Sequence, residues 1–207
     1  MSILRVSIFA VWLVHLSAII GVYLGYADWF MSKTSWNLLL MGLLLVLNYP
    51  IRTPKSVAVA SFIIAFSFFA EWIGVTTAFP FGEYSYGDNL GVKLDGVPLV
   101  IGFNWLYLSL GFATIAEFIS ENKWIRITLA SLFMVALDLV IEPVAKQMDY
   151  WEFVLDPVPI ANYVGWFALS YMVQAVIVFS DMKEKGIFSI HLIAATILYF
   201  GLIFLTY

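Results

Sequence analysis

The chain has 207 residues, of which 63% are hydrophobic and only 12% charged, with a formal net charge of −4. Soluble domains are about half apolar and about a quarter charged, so this composition belongs to an integral membrane protein. The acidic balance offers no basic patch for nucleic acid. The absence of cysteine excludes disulfides, thiolate metal sites and cysteine nucleophiles.

Arg5 leads into an apolar run that ends near Ala27. The run is about 20 residues long, against the roughly 7–15 of a signal peptide's apolar region, so it is expected to stay as a helix and not to be cleaved after Gly25-Tyr26-Ala27. Further apolar segments follow. Together they lie at 6–27, 35–49, 57–78, 98–119, 124–147, 160–180 and 187–206. Each approaches the roughly 20 residues that a bilayer crossing needs, although the second is short. The expected architecture is therefore all-α: one polytopic membrane domain over 1–207, with about seven transmembrane helices.

Lysine and arginine set the expected orientation. Arg5, Arg52, Lys55, Lys123, Arg126, Lys183 and Lys185 fall on the side of the N-terminus, and Lys33, Lys93 and Lys146 on the other. The bias puts the N-terminus in the cytoplasm of a cell-membrane protein, with the long connections 79–97 and 148–159 outside.

The polar residues inside these segments are few. His15 lies in the first and His191 opens the last; neither has a second histidine one turn away, so no histidine-rich metal site is expected. Glu71 stands in Phe66-Ser67-Phe68-Phe69-Ala70-Glu71-Trp72 with no basic neighbour. The connection after it, Phe81-Gly82-Glu83-Tyr84-Ser85-Tyr86-Gly87-Asp88-Asn89, alternates and then turns, which predicts a short hairpin or ordered lid. Val97-Pro98 opens the fourth segment ahead of Asn104-Trp105, and Val158-Pro159 opens the sixth ahead of Asn162 and Trp166. Glu117, Glu121 and Lys123 read as a solvated rim.

Asp138 and Glu142 sit in the fifth segment four residues apart, on one face of a helix. Pro143 follows and denies a hydrogen bond to the carbonyl of Leu139. Carboxyl groups at such a depth are costly and mark function by default. The competing structural role for Glu142 is an ion pair with Lys146, four residues on. At about 1.5 Å per residue, Glu71 and Asp138 both lie about 21 Å from the N-terminal face, and Asn104 about 9 Å from the other. The polar groups are thus expected to meet under the two long connections. Tyr84, Tyr86, Trp105 and Trp166 are expected to line a site for a large apolar molecule there, where their ring faces can steady a cation.

On these residues the chain resembles the carotenoid biosynthesis membrane protein family, whose best-known members are bisanhydrobacterioruberin and γ-carotene hydratases. The resemblance rests on Phe81 to Tyr86, Leu90-Gly91, Gly96-Val97-Pro98, Asn104-Trp105, Asp138-Leu139-Val140-Ile141-Glu142-Pro143-Val144-Ala145, Tyr150-Trp151, and Pro159 with Asn162 and Gly165-Trp166. Pro157, where the family pattern has glycine, is a departure. The resemblance implies addition of water to the terminal double bond of an acyclic ψ end group by acid catalysis, with no cofactor and no metal. It implies a membrane-dissolved acyclic carotenoid as substrate and other carotenoid enzymes as candidate neighbours. Asp138 would protonate the alkene, Glu142 would stay ionised and position water, Glu71 would share the proton or donate it, and Asn104 and Asn162 would hold the water.

Two alternatives stand beside a hydratase. A lycopene-cyclase-like enzyme would use the same protonation but exclude water. A carotenoid-binding or transport protein would leave its pigment unchanged. A retinal protein is disfavoured, because the segment from Ile187 to Tyr207 has no lysine for a Schiff base.

Overall fold

The computed structural model describes residues 2–49, 51–180, 182 and 186–206. Lys183 and Lys185, two of the residues counted above for orientation, lie outside the described residues. The described chain is an all-α bundle. Its helices are α1 (Ile3–Tyr23), α2 (Ala27–Met31), α3 (Thr34–Asn48), α4 (Pro54–Thr77), α5 (Ile101–Ile119), α6 (Lys123–Ala145), α7 (Ile160–Ser180) and α8 (Ile187–Phe204). Four short strands lie between them: β1 (Tyr84–Tyr86), β2 (Lys93–Leu94), β3 (Val97–Pro98) and β4 (Trp151–Phe153).

Five of the helices, α1, α4, α6, α7 and α8, are long and apolar enough to cross a membrane. The chain is a multi-pass membrane protein. Its outer surface carries Phe9, Leu43, Phe69, Leu132, Leu139, Val164 and many other large apolar side chains, all exposed. Such a belt suits a surface in contact with lipid. The two remaining long elements are α3, short as the sequence predicts, and α5. α3 has only 15 residues, about 22 Å at 1.5 Å per residue. α5 is the central post: thirteen of its nineteen residues are buried, and it packs on α3, α4, α6, α7 and α8. Gly102 makes one of these contacts possible, since a Cβ there would come within 2.8 Å of the Ile64 carbonyl oxygen of α4.

Local chemistry sets the helix ends. α4 starts at a capping box: the Thr53 side chain accepts from Ser56 N–H at 3.1 Å, Thr53 N–H donates to Ser56 Oγ at 3.0 Å, and Pro54 takes the first helical position. α6 starts at Asn122, whose Oδ1 accepts from Trp124 N–H at 2.9 Å. α1 stops four residues earlier than its apolar run suggests. Gly25 adopts φ 88°, Tyr26 N–H reaches back to the Gly21 carbonyl, and α2 begins.

The two long connections form one structure. β1 pairs antiparallel with β4, with Tyr84 opposite Phe153 and Tyr86 opposite Trp151. Of the hairpin or ordered lid expected here, the structure has the lid, joined to the other connection at Gly87 to Asn89: Asp149 Oδ2 accepts from the backbone N–H of Asp88 at 2.8 Å, and Gly87 N–H donates to the Tyr150 carbonyl. A true hairpin forms further on, β2 to β3, across Asp95 and Gly96, both at positive φ. Lys93 braces the lid by donating to the Tyr86 carbonyl and to Asp88, both at 2.8 Å; that lysine also holds the Asp88 carboxyl below its ordinary range.

α4 runs 24 residues from Pro54 to Thr77 and ends where the first long connection begins. Lys55 and Asp88, both exposed, therefore stand at opposite ends of the bundle. Single cysteines replacing them should react with a membrane-impermeant maleimide from opposite sides of a sealed membrane. Labelling of both from one side would contradict the transmembrane passage of α4.

Candidate functional site

Three carboxyl groups are buried among the described residues: Glu71, Asp138 and Glu142, with relative exposures of 3%, 2% and 8%. α4 supplies Glu71 and α6 supplies the other two from one face, as the four-residue spacing predicts. Buried acceptors need donors, and segments remote in sequence provide them.

Glu71 accepts three hydrogen bonds. Tyr84 and Tyr86 donate to Oε2 at 2.6 and 2.7 Å, and the Trp105 indole donates to Oε1 at 3.0 Å. Both tyrosines come from the β1 lid. Burial, and then the Glu71 carboxylate, push their phenols well above the ordinary range, so they stay protonated and act as donors. Gly74, one turn beyond Glu71, leaves the space they need: a Cβ there would lie 2.6 Å from the Phe81 ring and 2.7 Å from the Tyr84 hydroxyl.

Asp138 and Glu142 share one donor. The Asn162 amide nitrogen on α7 donates to Asp138 Oδ2 and Glu142 Oε1, at 3.1 Å each. The Trp151 indole on β4 donates to Glu142 Oε2 at 3.1 Å. Asp138 Oδ1 is buried and has no hydrogen-bond partner among the described residues. The two carboxyls thus differ: both oxygens of Glu142 are engaged, and one oxygen of Asp138 is free. Lys146, the alternative partner for Glu142, pairs instead with Glu152 on β4. Pro143 lies in the last turn of α6, which ends two residues later.

Two adjoining cavities meet here. The smaller, about 30 Å³, is lined by the three carboxyls with Tyr84, Tyr86, Asn104, Trp151, Asn162 and Trp166. A water molecule's share of liquid volume is about 30 Å³, so the chamber is of water size. The larger, about 300 Å³, runs between α1, α2, α3, α5, α6 and α8 with a mostly apolar lining. Asn104, Ile101, Leu108, Leu137, Ile141 and Trp151 line both. The larger cavity reaches the apolar outer face at Leu13 and Trp29, which line it and are 53% and 59% exposed.

Every site residue expected from the sequence, namely Glu71, Tyr84, Tyr86, Asn104, Trp105, Asp138, Glu142, Asn162 and Trp166, is in or against the small chamber; Trp105 reaches it through Glu71 and by stacking on Trp166, with ring centroids 4.4 Å apart and planes 20° apart. His15 faces the larger cavity, with Nδ1 donating to the Val11 carbonyl at 2.8 Å, and His191 accepts from the Trp12 indole at 3.0 Å. Glu117 pairs with Arg126 at the rim. The sequence reading did not assign Trp151 to the site. Its signal was the alternation Trp151-Glu152-Phe153, which turns Trp151 and Phe153 to one face of a strand. The site for a large apolar molecule, expected among Tyr84, Tyr86, Trp105 and Trp166, lies instead beside them: none of the four lines the larger cavity, whose walls come one or a few residues at a time from six helices.

Asn162→Leu removes the shared donor and leaves two buried carboxyls short of partners. It should lower stability by about 1–3 kcal/mol, read as a drop in the midpoint of chemical unfolding in detergent. An unchanged midpoint would mean that the amide does not hold the pair.

A family profile described as "Carotenoid biosynthesis protein" matches residues 34–206. Among curated proteins, a bisanhydrobacterioruberin hydratase of Haloarcula japonica is 33% identical over 109 residues, which covers 49% of this chain and 37% of that relative. The match thus spans little more than a third of the relative's length. No solved structure matches.

Proposed function

Because the chain belongs to the carotenoid biosynthesis protein family, we propose that it is a carotenoid hydratase, adding water to the terminal double bond of an acyclic ψ end group. The family membership and the hydratase relative support a carotenoid-modifying role. The observation that carries the finer step is the free oxygen of Asp138 beside a water-sized chamber, next to an apolar cavity.

The end of the carotenoid occupies the larger cavity, with its terminal double bond at the wall shared with the chamber, between Leu137 and Ile141 and next to Asp138. About 300 Å³ is at the small end of ligand pockets, so the rest of a long polyene extends into lipid past Leu13 and Trp29. Asp138, neutral away from water, delivers a proton from Oδ1 to the terminal alkene. A tertiary carbocation forms. The Glu71 carboxyl, fixed by three donors, and the ring of Trp166, which lines the chamber and is backed by Trp105, stabilise that charge. Water in the chamber adds to the cation and loses a proton to Glu142, and Asn104, which borders both cavities, orients it. Transfer of that proton from Glu142 back to Asp138 restores the starting state. The proton has little distance to cover, because one amide nitrogen holds both carboxyls.

The chamber favours hydration over cyclisation, since a cyclase gains nothing from room for a water at the cation. Our reading of orientation keeps the N-terminus cytoplasmic, seven spans, and both cavities toward the outer face. Incubation of the purified protein in lipid with an acyclic carotene should yield a product heavier by one water. An isomer of unchanged mass would indicate a cyclase, and unmodified bound pigment a carrier. Asp138→Asn should lose at least about a hundredfold in turnover, the low end of what general acid catalysis contributes. Glu142→Gln should also be impaired, and Glu71→Gln less so. Near-normal turnover in all three, with normal membrane insertion, would remove carboxyl catalysis.

A further inference from the structure

Beneath the chamber lies a second polar site that the mechanism above does not use. α7 carries a row at four-residue intervals: Asn162, Trp166, Ser170 and Gln174. The first two line the chamber. Ser170 and Gln174 are both fully buried, and Ser170 Oγ and Gln174 Oε1 have no hydrogen-bond partner among the described residues. The rest of Gln174 is held: its Nε2 donates to the Ser109 carbonyl at 2.9 Å and to Met134 Sδ at 3.6 Å. That bonding fixes the amide orientation and leaves Oε1 as the free acceptor. Ser109 Oγ also donates to Met134 Sδ, at 3.7 Å. Met134 stands one turn before Asp138 on α6 and lines the chamber from below. The buried residues of α7 beyond Gln174 are Ile177 and Val178, so the polar row ends there.

We infer that Ser170 Oγ and Gln174 Oε1 hold an internal water one helical turn beneath the carboxyls, and that this site refills the hydration chamber. Two unpaired oxygens in a closed interior cost free energy unless something bonds to both. Residues four apart on a helix have Cβ atoms about 5–6 Å apart, a span that one water bridges with a hydrogen bond to each. The site has a use if the chamber hydrates an alkene, and in this respect it rests on the proposed function. Each turnover consumes the water beside Asp138 while the apolar end group fills the larger cavity. The held water then moves up into the chamber, and the site is reloaded through the chamber once product leaves the larger cavity. Met134 is the partition between the two, an unbranched side chain that moves aside at small cost.

Two measurements test this. A structure of the protein in lipid, at a resolution that shows ordered solvent, should reveal density within hydrogen-bonding distance of both Ser170 Oγ and Gln174 Oε1. Both oxygens bonded to protein groups, with no solvent between them, would overturn the site. The second reads the fate of the cation in the double variant Ser170→Ala, Gln174→Met with an acyclic carotene as substrate. Slower refilling should leave protonation in place but let more of the cation lose a proton or close a ring. The ratio of water adduct to isomer of unchanged mass should fall about tenfold while total consumption stays within about threefold, the scale of one lost hydrogen bond. A purely structural defect would lower both products together, and an unchanged ratio or a parallel loss would refute the refilling role. If the unaltered protein gives no water adduct, the hydratase assignment fails, and the solvent density alone then decides the site.

Discussion

A carboxyl group inside an apolar bundle is tolerated only with donors around it, and this protein buries three. Their demand organises the end of the bundle that lies under the lid. Glu71 draws in Tyr84, Tyr86 and Trp105, while Asp138 and Glu142 draw in Asn162 and Trp151. These five donors come from β1, α5, β4 and α7. The lid therefore cannot move away from the bundle without unpairing a buried charge or a buried acid. The pairing of β1 with β4 follows the same logic, because it sets Tyr86 and Trp151 opposite each other, above Glu71 and Glu142.

The donors are not distributed evenly. Glu71 and Glu142 have both oxygens engaged, whereas Asp138 keeps one free. Hydrogen bonds from tyrosine, indole and amide favour an anion. The group with a free oxygen is the one with room to carry and deliver a proton. Three chemically similar residues thus acquire different capacities from their surroundings alone, a division of labour that burial by itself would not create.

The cavities divide the interior by polarity. An apolar space with a lipid-facing mouth adjoins a polar chamber of water size, and Asn104 stands where they meet. In the proposed reaction this arrangement would bring a hydrophobic reactant and a polar one to a common boundary without mixing their solvation. The central position of α5 makes it possible: one side of the helix presents Asn104 and Leu108 to both cavities, and Gly102 lets α4 approach closely enough to place Glu71 against Trp105.

Much of this was legible in the sequence. Composition determined the membrane class. The spacing of Asp138 and Glu142 determined that they share a face, because the helical period is a local property. Depth along each segment determined that Glu71, Asp138, Asn104 and Asn162 would lie near one level, since rise per residue hardly varies. The partners of each carboxyl were decided only in three dimensions. Lys146 was the near neighbour in sequence, yet it bonds Glu152, because the chain turns at Asp149 and carries β4 back over the end of α6. The hairpin signal at Gly87 to Asn89 became a contact with the other connection, since a strand of three residues pairs with whichever edge the packing brings close. The walls of the large cavity and the free oxygens of Asp138, Ser170 and Gln174 left no mark in the sequence. A cavity is a remainder of how helices pack, and a missing hydrogen bond is a relation among groups far apart in the chain, so neither can be read from local spacing.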